Sequence, residues 1–314
     1  MTHPAPSRPA TNPRATNPRA TNPRSAGPAF AGRLRALGLA VALGLGLAGC
    51  GAFHPGHDHA GHAHDADHAG MAAPCRDCQP PAVYAYSTID ALLAGTYDGE
   101  LSIGELLGKG DFGLGTFNRL DGELVVLDGR AYHVHSDDTV EIAPASDRTP
   151  LAYVVPFRPT ASLPLEGIAS LTELETLLDA KLGNLNHFQA VRIDGRFSAA
   201  TARAIAPQTR PYKPLAELVK TQSVFRFENV EGTLVGLRSP AFTKGVSVPG
   251  WHWHLLTADR KRGGHLLTLR IDRAEARMAP VDRLEVQLPG TDDFARADQS
   301  RDRKDELKKV EGER

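Results

Sequence analysis

The 314-residue sequence is poor in cysteine, with only three, and has no long hydrophobic run. Its apolar run at residues 36–48 is too short to cross a bilayer, which takes about 20 apolar residues in a helix. The sequence also lacks a basic stripe, a glycine-rich phosphate loop and a lysine in a Schiff-base context, and its formal net charge is −1. These absences leave no sign of a membrane-spanning helix, a nucleic-acid partner or an organic cofactor.

Residues 1–49 have the features of a targeting segment. The sequence Ala-Thr-Asn-Pro-Arg occurs three times within residues 10–24, and proline at every fifth position prevents regular helix or sheet. Arg33 and Arg35 then precede the apolar run, as in a secretory signal. The arginines of this segment are accompanied by no acidic residue, so the chain without it is net acidic.

The apolar run ends in Leu-Ala-Gly followed by Cys50, which resembles a bacterial lipobox. We therefore expect residues 1–49 to be removed and Cys50 to carry a lipid. The protein would then lie outside the cytoplasm, anchored to the cell membrane or to the outer membrane. An ordinary cleavable signal peptide with an incidental cysteine is the alternative.

Residues 50–81 form a predicted tether that is rich in histidine and aspartate. Its histidines are His54, His57, His59, His62, His64 and His68. Such a tract cannot bury a core but can bind divalent metal loosely, and a polar linker without a metal role is the alternative. Outside the cytoplasm, Cys75 and Cys78 favour a small disulfide or a metal pair over a redox motif, because no βαβ pattern surrounds them.

Residues 82–314 read as a folded α+β domain. Helical periodicity predicts helices at residues 89–94, 103–107 and 171–182. Asp-Gly pairs at 121–122, 128–129 and 194–195 predict turns between strands. Because helix–strand–turn–strand units occur in both halves, we expect two similar lobes of mixed β-sheet, roughly 82–185 and 186–314. The charged segment 294–314 reads as a helical, solvated tail.

Three histidines form the strongest signal in this domain. His252 and His254 lie two apart in a predicted strand, so their side chains share one face. A charged, glycine-containing loop leads to the next strand, where an even loop length places His265 on the same face. Three imidazoles converging in this way predict a site for zinc or a similar ion. The sequence around them offers no evident fourth ligand, so we expect an open, catalytic site.

Other polar residues are ambiguous by themselves. His133 and His135 have the same spacing, but they lie in a turn-rich segment without a third histidine, and we interpret them as surface-exposed. Glu123 follows a predicted turn, so it can be a turn residue or a strand edge as well as a site residue. Arg203 precedes a proline-rich run, and its position alone does not assign it a function. An arginine near a metal could hold a substrate carboxylate with two hydrogen bonds.

Two long segments resemble the bacterial α-acetolactate decarboxylase family. Residues 84–132 contain Tyr-Ala-Tyr-Ser-Thr-Ile-Asp, Gly-Asp-Phe-Gly-Leu-Gly-Thr-Phe-Asn and Leu-Asp-Gly-Glu-Leu, and residues 211–265 contain Pro-Tyr-Lys-Pro-Leu-Ala-Glu, Phe-Glu-Asn-Val-Glu-Gly-Thr, Pro-Gly-Trp-His-Trp-His and Gly-Gly-His. The resemblance covers nearly all of residues 83–314 and none of residues 1–80. It implies two α+β lobes with a zinc ion near their junction, and a homodimer.

The resemblance also assigns roles to individual residues. It implies that the zinc ligands are His252, His254 and His265, and that the remaining site residues are Thr116, Glu123, Arg203 and Glu311. The last of these conflicts with a solvated tail, since Glu311 can reach the site only if the C-terminus docks over it. The stretch 199–206 around Arg203 follows the family pattern more loosely.

The implied reaction converts 2-acetolactate to acetoin and carbon dioxide. A β-keto acid loses carbon dioxide when its ketone oxygen can accept negative charge, and a zinc ion stabilises the enediolate that results. Arg203 would hold the carboxylate, and Glu123 or Arg203, with Glu311, would supply the proton. Two other functions remain open: an extracytoplasmic zinc-binding module, and a zinc hydrolase that uses metal-bound water.

Overall fold

The computed structural model describes residues 80–312, which form two main β-sheets with short helices on their surfaces. The first sheet contains β1 (Val83–Tyr86), β3 (Phe112–Thr116), β4 (Glu123–Leu127), β5 (Arg130–Val134), β6 (Val140–Ile142), β8 (Leu151–Val155) and β14 (Leu284–Gln287). Their order is β14-β1-β8-β3-β4-β5-β6, and only the β14–β1 pair is parallel. Two short strands, β2 (Leu101–Ser102) and β7 (Arg148–Thr149), pair with each other.

The second sheet is built from longer strands: β9 (Ala161–Ile168), β10 (Phe188–Ala204), β11 (Ser223–Ser239), β12 (Gly250–Thr257) and β13 (Gly263–Val281). Their order is β10-β11-β12-β13-β9, with a further pairing between β10 and β13. Because β10 pairs with both β11 and β13, and β12 pairs with the same two strands, these four strands close into a ring. This closure pairs β10 on both sides along most of its length, which fixes its register with β11 and β13.

Six helices complete the described part of the chain: α1 (Ile89–Leu93), α2 (Ile103–Leu107), α3 (Leu171–Lys181), α4 (Leu215–Leu218), α5 (Asp292–Arg296) and α6 (Lys304–Glu311). The first three match the helices that periodicity predicts, to within one residue at each end. Their starts have a local cause, since Thr88, Ser102 and Ser170 each accept a hydrogen bond from a backbone N–H in the first turn. No helix in residues 80–312 is long and apolar enough to cross a membrane.

The predicted turn at Asp194-Gly195 is wrong, because β10 continues through it without interruption. Gly195 is instead a point of close strand approach. A Cβ atom at this position would lie 2.4 Å from the Cα atom of Ala274 on β13. Asp194 accepts hydrogen bonds from Arg192 and Arg277, two side chains along the same ladder. An Asp-Gly pair usually marks a turn. Here Gly195 allows close packing of two strands, and Asp194 pairs with arginines.

The two sheets share a hydrophobic core. Leu114 and Val125 from the first sheet belong to the same buried cluster as Val235, Leu237 and Leu256 from the second. A second cluster packs α3 against the second sheet around the fully buried Trp253. The predicted α+β class, with mixed sheet and short helices, is confirmed.

Strands cross the boundary that the sequence placed near residue 185. Strand β9 precedes that boundary but joins the second sheet, and β14 follows it but joins the first. The division into lobes 82–185 and 186–314 therefore stays a prediction. The interlocking sheets bring β4 close to β12, and this contact positions the site.

Candidate metal centre and active site

The three predicted histidines meet on one face of the β12–β13 hairpin. His254 lies directly opposite His265 in the strand register, and His252 lies two residues away on the same face. The ring centroids are 5.0 to 5.5 Å apart, and one ring nitrogen from each residue lies within 4.8 Å of the other two. The predicted alternation and hairpin register therefore place all three imidazoles together.

The central imidazole is held in the form that binds metal. His254 is buried, and its Nδ1–H donates to the carbonyl oxygen of Leu124 at 2.9 Å, which leaves the lone pair on Nε2 facing the cluster. Burial lowers the pKa of His254 well below its usual value, and nearby His252 lowers it further. A neutral ring with one nitrogen fixed by a backbone carbonyl is the usual state of a histidine ligand.

Glu123 brings a carboxyl from the first sheet to the histidines. It is the first residue of β4, and its Oε2 lies 3.4 Å from His254 Nε2. The preceding turn is fixed by Thr116, whose hydroxyl donates to the carbonyl oxygen of Gly122 at 2.7 Å. Burial raises the pKa of Glu123 to about 8; Arg203 lowers it and Glu311 raises it. The carboxyl therefore keeps its proton at neutral pH unless a cation beside it favours the charged form.

Arg203 reaches the site from β10, where it lies opposite His265 in the register. Its side chain is 4% exposed, and Nη1 lies 3.8 Å from Glu123 Oε1. Nη2 donates to the carbonyl oxygen of Val310 at 2.8 Å, while Nε has no hydrogen-bond partner within residues 80–312. An unused guanidinium N–H in a buried cavity is suited to binding an anionic group.

Glu311 reaches the site from α6, so the C-terminal segment is docked and not wholly solvated. Its Oε2 lies 3.7 Å from His265 Nε2, and its side chain is only 12% exposed. The neighbouring Val310 is buried, and Leu307 packs against the same core. Those two apolar residues, three apart in a charged segment, are the signal that the residue-by-residue interpretation of the tail overlooked.

The resulting cavity combines polar and apolar walls. Thr116, Glu123, Arg203, His252, His265 and Glu311 line it together with Ile89, Leu92, Leu120, Leu151, Ile205, Leu215 and Val310. The six polar side chains among these are all candidate site residues that the sequence analysis named. The sequence next to the three histidines gave no sign of Glu123 and Glu311, because these two carboxyls come from β4 and α6.

The donor set fits a divalent metal ion. Three imidazoles converge, and His254 Nε2 has no hydrogen-bond partner in the described part of the chain. A buried nitrogen lone pair without a donor is costly, and a bound cation removes that cost. The arrangement can thus hold a metal ion through His252, His254 and His265, with Glu123 and Glu311 beside it.

The expectation that His133 and His135 are surface-exposed is wrong for His133. That residue lies in β5, is 6% exposed, and stacks on Phe117 with ring centroids 3.8 Å apart. The segment is a strand that pairs with β4 and β6, and the first sheet and Phe117 cover the ring. His133 and His135 also form a group with Asp121 whose ligand atoms lie within 4.8 Å of one another.

Several predictions concern residues outside the described range. They are the lipidation of Cys50, the role of the tether histidines at residues 54–68 as metal ligands or plain linker, and the disulfide or metal pair at Cys75 and Cys78.

Comparison with known proteins agrees with the site. The family model described as alpha-acetolactate decarboxylase matches residues 83–301. An alpha-acetolactate decarboxylase from Methanosarcina mazei is 44% identical over 229 residues, covering 73% of this chain and 80% of that protein. An alpha-acetolactate decarboxylase from Brevibacillus brevis is 39% identical over 232 residues, covering 74% of this chain and 81% of that protein. The crystal structure of the Bacillus subtilis strain 168 protein superposes with a TM-score of 0.72 at 35% identity, covering 73% of this chain and 99% of that one. The chain belongs to the alpha-acetolactate decarboxylase family.

Proposed function

We propose that this carboxy-lyase converts 2-acetolactate to acetoin and carbon dioxide with a zinc ion held by His252, His254 and His265. The single observation that supports this proposal is the convergence of those histidines with Glu123, Arg203 and Glu311 around one buried cavity. Imidazole ligands suit zinc, and a site with three protein ligands keeps a position for substrate. When bound, zinc would supply a Lewis acid that stabilises negative charge on the substrate's oxygens.

Arg203 is proposed to orient the substrate carboxylate. Its Nη2 is fixed by the Val310 carbonyl, which holds the guanidinium plane, and its Nε remains available on the buried side. A fixed guanidinium can hold the carboxylate so that the breaking carbon–carbon bond lies in the orientation that favours loss of carbon dioxide. The apolar side chains of the cavity, including Leu92 and Ile205, exclude water from the developing charge.

Glu123 is the proposed proton donor, with Glu311 in support. Burial gives the Glu123 carboxyl a raised pKa, and its two oxygens lie close to His254 and Arg203. A proton held at Glu123 can be delivered to the carbanion carbon from one side of the cavity, which would yield one acetoin enantiomer. Thr116 positions this carboxyl through the Gly122 carbonyl.

Acetoin formation by full-length protein tests the proposal. We expect the protein, incubated with racemic 2-acetolactate and zinc, to produce acetoin enriched in one enantiomer on chiral chromatography. The His252→Ala variant should be inactive, whereas His187→Ala, outside the site, should match the wild type. If wild type and His252→Ala release acetoin at the same rate, the assignment is wrong.

We also propose that the protein is lipid-anchored through Cys50 on the extracytoplasmic side of a membrane. This rests on the signal-like segment before Cys50 and on the lipobox-like Leu-Ala-Gly-Cys. Labelled palmitate should be incorporated by the wild type and not by Cys50→Ala; equal labelling of both would contradict the anchor. A homodimer is proposed from the family resemblance, and sedimentation equilibrium of the purified protein would reveal a monomer if that is wrong.

A further inference from the structure

A second group of potential metal ligands lies in the first sheet, apart from the three-histidine cluster. Asp121 precedes β4, while His133 lies in β5 and His135 follows it. One Asp121 oxygen, Oδ1, faces both imidazoles: it lies 3.8 Å from His133 Nε2 and 4.0 Å from His135 Nδ1. The two histidines are two residues apart on one face of the chain, the spacing at which an extended segment presents paired metal ligands.

The orientation of His135 is set by a second carboxylate. Its Nε2 lies 3.3 Å from Glu141 Oε1 on β6, and a carboxylate accepts only from a protonated nitrogen. This hydrogen bond places the proton on Nε2 and leaves the lone pair on Nδ1, the atom that faces Asp121. A carboxylate that fixes the outer nitrogen of a histidine is the usual support of a metal-binding imidazole.

His133 is held rigidly in the same group. Its ring is stacked between Phe117 and His135, with centroid distances of 3.8 Å to each. Its Nε2 faces the Asp121 main-chain oxygen at 2.6 Å as well as the Asp121 carboxylate. In the absence of metal this nitrogen donates its proton to the Asp121 carbonyl, so metal binding at Nε2 would require the neutral ring to carry its proton on Nδ1 instead.

We propose that Asp121, His133 and His135 form a second binding site for a divalent transition-metal ion such as zinc, with Glu141 orienting His135. Two ligands about 2.1 Å from one ion at a tetrahedral angle are about 3.4 Å apart, so the Asp121 carboxylate needs to approach each ring by only about half an ångström. The three ligand atoms already lie within 4.8 Å of one another. Two imidazoles and one carboxylate prefer zinc, cobalt or nickel over magnesium or calcium. The site is partly exposed, which gives an ion access from solvent.

The site lies next to the active-site turn. Asp121 is two residues before Glu123, and Val134, between the two histidines, pairs with Glu123 in the β4–β5 register. An ion at this site would therefore tie β5 to the turn that carries Glu123. The site formed by Asp121, His133 and His135 is separate from the three-histidine cluster, since the two groups share no ligand.

Zinc content of the full-length protein tests this site. After equilibrium dialysis at buffered micromolar free zinc, elemental analysis should find one zinc ion fewer per chain in His133→Gln/His135→Gln than in the wild type. The control His187→Gln removes a histidine that belongs to neither ligand group nor to the tether, and it should retain that ion. Equal zinc content in the wild type and the His133→Gln/His135→Gln variant would overturn the proposal.

Two further measurements keep the test decisive. If the double variant does not fold, as judged by near-ultraviolet circular dichroism, the single variant His135→Gln replaces it, because that side chain is the more exposed of the pair. Crystals grown with two equivalents of zinc should show an anomalous peak between Asp121 and the two rings. A peak at His252, His254 and His265 alone would refute the second site and leave the proposed function unaffected.

Discussion

Glu123 illustrates how tertiary burial changes the chemistry of one side chain. In a turn exposed to water, a glutamate after Asp-Gly would be an ordinary surface carboxylate. Here it is enclosed beneath the C-terminal helix, and burial raises its pKa to about 8. Without a cation beside it, this carboxyl therefore holds a proton next to the three histidines at neutral pH, which an exposed glutamate would not do.

Replacing Glu123 by glutamine should abolish proton transfer while keeping the size of the side chain. Because a positioned acid contributes about 100-fold or more to the rate, we expect kcat for acetoin formation to fall by about that factor or more. Glu105→Gln is the control and should retain activity, because Glu105 is an exposed residue of the α2 capping box and does not line the cavity. A Glu123→Gln enzyme within threefold of the wild type would exclude the proposed proton donor.

Replacing Arg203 by lysine should weaken substrate orientation. Lysine keeps the charge but loses the planar guanidinium that bonds the Val310 carbonyl and presents a further N–H to the cavity. We expect kcat/KM to fall by about 100-fold, the effect of losing a positioned hydrogen-bond donor. Steady-state kinetics of Arg196→Lys, on the same strand but exposed, provide the comparison. Equal losses of kcat/KM in both variants would mean that Arg203 does not orient the substrate.

Among the elements, α6 depends most on its surroundings. Eight residues are too few for a stable isolated helix, so α6 is held by tertiary contacts. Val310 and Leu307 pack into the core, and the Val310 carbonyl accepts from Arg203. The helix closes the cavity and delivers Glu311 to His265, so its docking is part of the site.

Deleting residues 304–314 should inactivate the enzyme without unfolding it. The deletion removes Glu311, opens the cavity and takes Val310 and Leu307 from the shared core, but it leaves both sheets and the rest of that core in place. We expect acetoin formation to be lost, with the midpoint of thermal unfolding lowered by only a few degrees, about 1–2 kcal/mol. A deletion of residues 313–314 serves as the control. Activity retained in the longer deletion would show that α6 is dispensable.

The close contact between β10 and β13 can be tested by a substitution that adds one methyl group between the two strands. In Gly195→Ala the new Cβ would lie 2.4 Å from the Cα atom of Ala274, so the strands must separate. We expect a loss of about 1–3 kcal/mol in the free energy of unfolding, measured by urea denaturation. Gly183→Ala is matched to it, since no atom lies within 4 Å of the added carbon there. Equal stability of the two variants would contradict the described register.

At the scale of the whole molecule, the site is a product of the interlocked sheets. The second sheet supplies the three histidines and Arg203, the first supplies Glu123, and α6 supplies Glu311. The hydrogen bond from His254 Nδ1 to the Leu124 carbonyl links a proposed metal ligand directly to the first sheet. A bound ion would therefore stabilise both sheets together.

Metal removal should lower both activity and stability. Protein stripped with a chelator should form no acetoin, and added zinc should restore the reaction. At a free zinc concentration 1,000 times the dissociation constant, the folded state gains about 4 kcal/mol, seen as a rise in the unfolding midpoint. His252→Ala should show a much smaller rise. Full activity in the chelator-treated protein would exclude a metal at the reaction centre.

Local sequence patterns predicted α1 to α3, the β12–β13 hairpin and the convergence of its histidines, because caps, periodicity and alternation act over a few residues. They failed at Asp194-Gly195, where a pair typical of turns lies within a long strand. They failed also at His133, whose burial depends on Phe117 and on strands from other parts of the chain. The resemblance, and not any local pattern, connected Glu123, Arg203 and Glu311 with the histidines.

The sequence by itself determined the hairpin that carries the three histidines, since side chains two apart in a strand share a face whatever surrounds them. Only the tertiary structure decided what that face meets. Ring closure of β10 to β13 places Arg203 opposite His265, the β4–β12 contact brings Glu123 to His254, and docking of α6 adds Glu311. Those contacts join residues far apart in the chain, and they form because burying shared apolar surface outweighs the entropy of ordering it.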